Sequence, residues 1–185
     1  MNSAPQMIIT KARDVSYEWP VWHTGLSAIG NNLRLNGNYA ELSANNSIYG
    51  GTGNALPTTD HWTVGSHSLV NANGNKYLSL LFTSVDGISK CGYYTGTGAS
   101  GNTITTGFSP RFVIIKNTSR SSTSWVVLDT LRGWTSGDDK SLELNETNAQ
   151  ETYNYSEPTS TGFTLDETGN WTNRSGDHYI YYAHA

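Results

Sequence analysis

"APQMIITK" runs from Ala4 to Lys11, and "SPRFVIIK" from Ser109 to Lys116. Each is a proline, one polar residue, a largely apolar run and a closing lysine. The proline stands just ahead of the apolar run, where its missing N–H removes no ladder bond from a strand. Further matches follow in the same order. "WPVWHTG" (Trp19 to Gly25) answers "WVVLDTL" (Trp125 to Leu131), and "LRLN" (Leu33 to Asn36) answers "LELN" (Leu142 to Asn145). "HWTV" (His61 to Val64) answers "GFTL" (Gly162 to Leu165), and "NGNKYLSLLF" (Asn73 to Phe82) answers "SGDHYIYYAH" (Ser175 to His184). Ordered blocks with shared polar and apolar positions are the mark of an internal repeat. The reading is therefore two tandem units, 1–85 and 108–185, joined by a linking strand and Gly-rich turn over 86–107.

Short runs rich in Ile, Val, Tyr, Phe, Trp and Thr, bounded by Gly, Asn, Ser and Asp, predict strands. In the first unit they fall at 6–11, 18–23, 32–35, 61–64 and 76–85, and in the second at 111–117, 124–129, 141–144, 162–165 and 178–185. "SKCGYYTGTG" in the link predicts one more strand. This spacing reads as all-β, with two antiparallel, jelly-roll-like β-sandwich repeats and little or no helix. "NETNAQETYNYSEP" (Asn145 to Pro158) reads as a loop or at most one helical turn. Nothing like 86–107 precedes Ser3, so the first unit lacks a piece that the second has. Either the chain is a portion of a longer array, or the missing strand comes from another molecule.

The 185 residues carry a formal charge of −4, with 14% charged residues, 11% aromatic residues and 19 glycines. That is a globular, turn-rich composition, and it lacks the basic clusters that nucleic acid requires. No segment is apolar for long enough to insert in a membrane, and "MNSAPQM" lacks the regions of a secretory signal. The single cysteine, Cys91, excludes an internal disulfide and reads as a half-buried strand residue.

Catalytic patterns are weak. "GGTGNA" (Gly50 to Ala55) has glycines but no following lysine and helix, so it reads as a surface loop. The histidines His23, His61, His67, His178 and His184 lack zinc-ligand spacing. Acidic neighbours such as Asp138 and Asp139, or Glu143 and Glu146, do not make a glycosidase pair, which needs two carboxylates facing across a cleft. No catalytic residue, metal site or cofactor is assigned.

The aromatic residues remain. Trp19 and Trp125, Trp62 and Phe163, and Tyr77 and Tyr179 occupy equivalent repeat positions and read as core. Trp134, Trp171, Tyr49, Tyr153 and Tyr155 have no repeat partner and stand among Gly, Asn and Thr. They are the candidate contacts for a glycan or receptor, since sugar rings stack on exposed aromatic faces. The alternative is that they pack between units or against other chains.

The blocks "APQMIITK", "LRLN", "NGNKYLSLLF", "GISKCGYYTGTG" and "TGFSPRFVIIKN" together resemble a repeat of virion proteins of tailed bacteriophages, especially marine and cyanobacterial ones. There, a unit of about this length recurs in fibre-like or tail-associated chains. The resemblance covers nearly the whole sequence, and the join "GISKCGYYTGTG … TGFSPRFVIIK" is its most specific part. It implies a non-enzymatic tail-fibre or surface-appendage module for assembly and host-receptor attachment, located on the virion and assembled in the host cytoplasm without a signal peptide. It implies no cofactor and supplies no catalytic residues. The expected partners are other virion proteins, further copies of the chain with a trimer favoured, and a host surface glycan. Alternative expectations are a carbohydrate-binding module or polysaccharide depolymerase fragment, a capsid decoration protein, or a bacterial adhesin.

Overall fold

Fourteen strands and one helical turn make up the regular structure of the computed structural model, which describes residues 3–44 and 46–185. Five strands form the first sheet: β1 (Met7–Ala12), β2 (Pro20–His23), β3 (Asn31–Arg34), β4 (Leu42–Ser43) and β5 (Tyr77–Phe82), in the order β4-β3-β2-β1-β5. The helical turn α1 (Ser68–Asn71) lies between β4 and β5 in the chain. The second sheet contains β6 (Ser89–Thr95), β8 (Phe112–Asn117), β9 (Val126–Asp129), β10 (Asp139–Glu143), β11 (Glu151–Tyr153) and β14 (His178–His184), in the order β11-β10-β9-β8-β14-β6. A third, of β7 (Asn102–Thr105), β12 (Ser156–Pro158) and β13 (Gly162–Leu165), has the order β12-β13-β7. All pairings are antiparallel. The protein is all-β.

The matching blocks occupy the same places in the first two sheets. Met7 stands opposite His23 and Phe82, and Phe112 stands opposite Asp129 and His184. The turn after β2 closes with the Gly25 N–H donating to His23 Nδ1 at 2.9 Å; after β9, Leu131 N–H donates to Asp129 Oδ1 at 2.8 Å. Burial pushes His23 down to about 4, so the neutral ring can accept as the carboxylate does. Trp19 N–H donates to Asn36 Oδ1 and Trp125 N–H to Asn145 Oδ1, at 2.9 and 2.8 Å. The closing lysines act alike too. Lys11 Nζ donates to the carbonyls of Val15 and Tyr17, and Lys116 Nζ to those of Asn117 and Thr123, each pinning the loop that follows its strand.

The layers stack in one direction. Met7, Ile9, Val21 and Leu33 pack against Cys91, Trp125 and Ile180 between the first and second sheets, with Ile114 and Phe82 at the margin. Trp125 also donates Nε1–H across this layer to the Arg34 carbonyl at 2.8 Å. On its other face the second sheet meets the third, around Val113, Ile115, Leu128, Trp134, Phe163, Leu165, Tyr179 and Tyr181. Both faces of β8 are covered, so it reads as a continuous apolar run rather than an alternation.

Here the arrangement departs from two separate sandwiches. The outer face of the first sheet carries Ile8 and Trp22, covered by Ile48, Tyr49, Leu69 and Val70 from the chain between β4 and β5. Of the strand predicted at 61–64, only an isolated bridge between Val64 and Tyr49 forms. Its counterpart β13 is extended because β7 and β12 flank it on both sides. The stretch read as a loop from Asn145 to Pro158 holds two short strands, β11 and β12.

Candidate functional site

Three of the five candidate aromatics lie within the cores. Trp134 is fully buried between the second and third sheets and donates Nε1–H to the Ser156 carbonyl and hydroxyl, both at 3.0 Å. Tyr155 is buried in the same layer. Tyr49 is buried against Ile8 and Trp22, and its hydroxyl donates to the Pro20 carbonyl at 3.0 Å. These three are corrections to the reading of an exposed platform: a ring enclosed by its own core presents no face to a ligand. Trp171 is half-buried against that core, and only Tyr153, at 50%, is well exposed. Tyr153 tilts against Tyr155 with ring centroids 4.8 Å apart. Four of the five thus gather at the layer between the second and third sheets, where they pack on one another rather than present an open platform, and Tyr49 lies apart on the outer face of the first sheet.

A different aromatic stands over a polar cleft. Tyr93, in β6, is 65% exposed. Gly25, in the turn after β2, lets β6 approach here, since a Cβ on it would lie 2.6 Å from the Cβ of Tyr93. Together with Ser27, Asn31, Glu41, Ser43, Thr118, Ser119 and His178 they line a recess of about 460 Å³ at the seam between the first and second sheets. Residues from both sheets are needed to form it, and the seam is tied by the Glu41 N–H donating to the Thr118 carbonyl at 2.8 Å.

The lining is held in place by its own bonds. Glu41 Oε1 accepts from Ser27 N–H at 2.8 Å, from Ser27 Oγ–H at 2.6 Å and from Asn31 Nδ2–H at 2.6 Å. Ser119 Oγ accepts from the His178 N–H at 2.9 Å. The His178 ring rests beside Thr95 Oγ1, 3.3 Å from Nδ1. An exposed ring above fixed hydroxyl, amide, carboxylate and imidazole groups suits a neutral, hydroxyl-rich ligand: the ring supplies a stacking face and the polar groups exchange hydrogen bonds.

Sequence reasoning passed over Tyr93 because "GYYTG" reads as strand. The usable signal was present. Tyr93 lies in 86–107, a stretch with no copy elsewhere in the chain, and it alternates with Tyr94, which puts the two rings on opposite faces of the strand. Tyr94 is the inward one, stacked on Tyr179 at 4.9 Å.

No curated protein and no solved structure matches the chain. A family model described as Domain of unknown function (DUF7483) matches residues 1–185, and the chain belongs to that family.

Proposed function

We propose that the protein is a non-enzymatic attachment module of a phage virion, displayed on a tail fibre or similar surface appendage, and that it holds a glycan of the host surface in the cleft beneath Tyr93. The observation that carries the glycan reading is the exposed Tyr93 ring over a lining of fixed polar groups drawn from both sheets. Glu41 is the carboxylate of that lining, and its Oε1 is engaged by three donors. Hydrolysis of a glycosidic bond uses two carboxylates across the scissile linkage. The cleft therefore favours binding over cleavage, and so over the depolymerase alternative. The virion setting rests on the resemblance of the repeat blocks. Layered β modules presenting loops suit an appendage.

The test is direct. Labelled protein is titrated onto bacterial cells and then competed with the purified surface polysaccharides of those cells. Binding to a polysaccharide that weakens about tenfold in Tyr93→Ala, with an unchanged melting temperature, supports the reading, since one aromatic stacking contact is worth roughly 1 kcal/mol beyond its buried area. Equal binding by Tyr93→Ala would remove the cleft from the reading. Shortening of the polysaccharide during incubation would overturn the non-enzymatic part.

A further inference from the structure

We infer that the outer edge of β5 is a docking site for an extended segment of a neighbouring protein unit, which pairs antiparallel with β5 and inserts a bulky apolar side chain opposite Ser79. The inference begins with backbone groups. The Lys76 carbonyl accepts from Arg13 N–H and the Phe82 carbonyl from Gln6 N–H, so alternate residues of β5 turn their N–H and C=O groups toward β1. Tyr77, Ser79 and Leu81 turn theirs the other way. Among the described residues β5 pairs with β1 alone, and it is the end strand of its sheet. Leu78 and Leu80, on the opposite face of the strand, are 51% and 42% exposed. An open apolar edge of this kind is a template for another strand.

The second sheet displays the same edge filled. By the register against β1 and β8, Tyr77, Ser79 and Leu81 correspond to Tyr179, Tyr181 and Ala183 of β14. Those three stand opposite Tyr94, Gly92 and Lys90 of β6. The equivalence also specifies the visitor's chemistry. In the second sheet the Tyr181 ring occupies the space beside Phe163, centroids 5.4 Å apart, and glycine at position 92 opposite makes room for it, because a Cβ there would clash with the Tyr181 ring and hydroxyl. In the first sheet, Ser79 replaces the tyrosine. The vacated volume is a recess of about 390 Å³ lined by Thr10, Trp62, Val64, Val70, Tyr77 and Ser79. Cross-strand partners point to the same face, so a residue opposite Ser79 projects into this recess. Large and small are thus exchanged: tyrosine against glycine in the second sheet, serine against a large apolar residue in the first. An aromatic residue opposite Tyr77 would complete the match, as Tyr94 does for Tyr179. Pairing of two β5 strands about Ser79 would set serine against serine and leave both recesses unfilled, so a second copy joined edge to edge does not meet these requirements.

The experiment uses the full chain and two synthetic peptides with the sequence of residues 86–106 and serine at Cys91. One keeps Gly92 and the other carries Gly92→Leu. Amide exchange of the chain is followed by NMR during titration. The expected result is slowed exchange at Tyr77, Ser79 and Leu81, with the leucine peptide binding about tenfold more tightly than the glycine peptide, the change expected for burying one such side chain. In a Ser79→Tyr chain the preference should reverse, toward the glycine peptide. Equal affinity of the two peptides for the unaltered chain would overturn the recess assignment. Absence of protection by either peptide would overturn the docking site. Concentration-dependent protection of the same amides in the chain alone would mean that self-pairing fills the edge, and would overturn it also.

Discussion

Trp134 separates a core role from a binding role most sharply. Its ring is fully buried, edge-on to Phe163 with centroids 6.2 Å apart, and its Nε1–H supplies a donor to the Ser156 carbonyl and hydroxyl. Trp134→Ala removes the ring and leaves a cavity between two sheets that cannot close freely, at a cost of about 3–5 kcal/mol. Trp134→Phe retains most of the apolar volume but leaves the buried Ser156 carbonyl without this donor, at a cost of about 1–3 kcal/mol. Against a net stability of about 5–15 kcal/mol, either loss is large. Urea unfolding followed by circular dichroism should place the midpoints in the order wild type, phenylalanine, alanine, with an unchanged slope, which marks a change in stability rather than in the denatured state. The reasoning fails if both variants unfold at the wild-type midpoint. It fails more pointedly if they do so while losing attachment to cells, because the ring would then be acting as a ligand platform.

Three further outcomes test individual parts of the fold. Lys116→Met keeps the aliphatic stem but takes the donor from the Asn117 carbonyl, the Thr123 carbonyl and Thr123 Oγ1. It should cost about 1–3 kcal/mol and speed amide exchange in the 117–123 loop. Gly92→Ala drives a Cβ into the Tyr181 ring, itself held against Phe163, and should lower stability by about 1–3 kcal/mol in thermal unfolding. Burial pushes the Asp139 carboxyl up to about 6, against the N–H bonds from Ser156 and Tyr155 that favour its charge. Between the unfolded value near 3.8 and about 6, the folded protein holds the extra proton, so this group's contribution is present at low pH and is lost as the pH rises through about 6. Asp139→Asn should flatten that fall, as measured by urea midpoints from pH 4 to pH 7.

The strands were legible where a chain segment had to be buried on at least one face. Ile8, Ile9 and Val113 to Ile115 announce themselves by apolar content, and β13 at Gly162–Leu165 lies where the Phe163 and Leu165 pattern predicts it. Short strands without an apolar face were not legible. β11, Glu151–Tyr153, is exposed throughout and exists because β10 offers it a ladder of backbone partners. The same dependence explains the opposite miss at 61–64. "HWTV" has as much strand character as "GFTL", but among the described residues no strand flanks it on either side and it keeps a single bridge at Val64. Local pattern cannot report what a distant edge supplies.

Residues without a repeat counterpart are surface candidates only on the premise that two copies of a unit share their core demands. That premise holds for the layer where the first two sheets meet, to which Ile9 and its equivalent Ile114 both contribute. It fails on the other faces. The second sheet is covered by β7, β12 and β13, and that layer is filled by Trp134, Tyr155 and Tyr181. The first sheet is covered by loop and α1, and its matching space beside Ser79 is open. An unshared aromatic therefore marks a place where the neighbours of the two copies differ, and a difference of neighbours makes a core residue as readily as a binding residue. The distinction comes from the pleat. In β6 the sequence alternates Tyr94 inward with Tyr93 outward, and Tyr93, more exposed than the unshared Tyr153, is the ring that lines the cleft between the first two sheets.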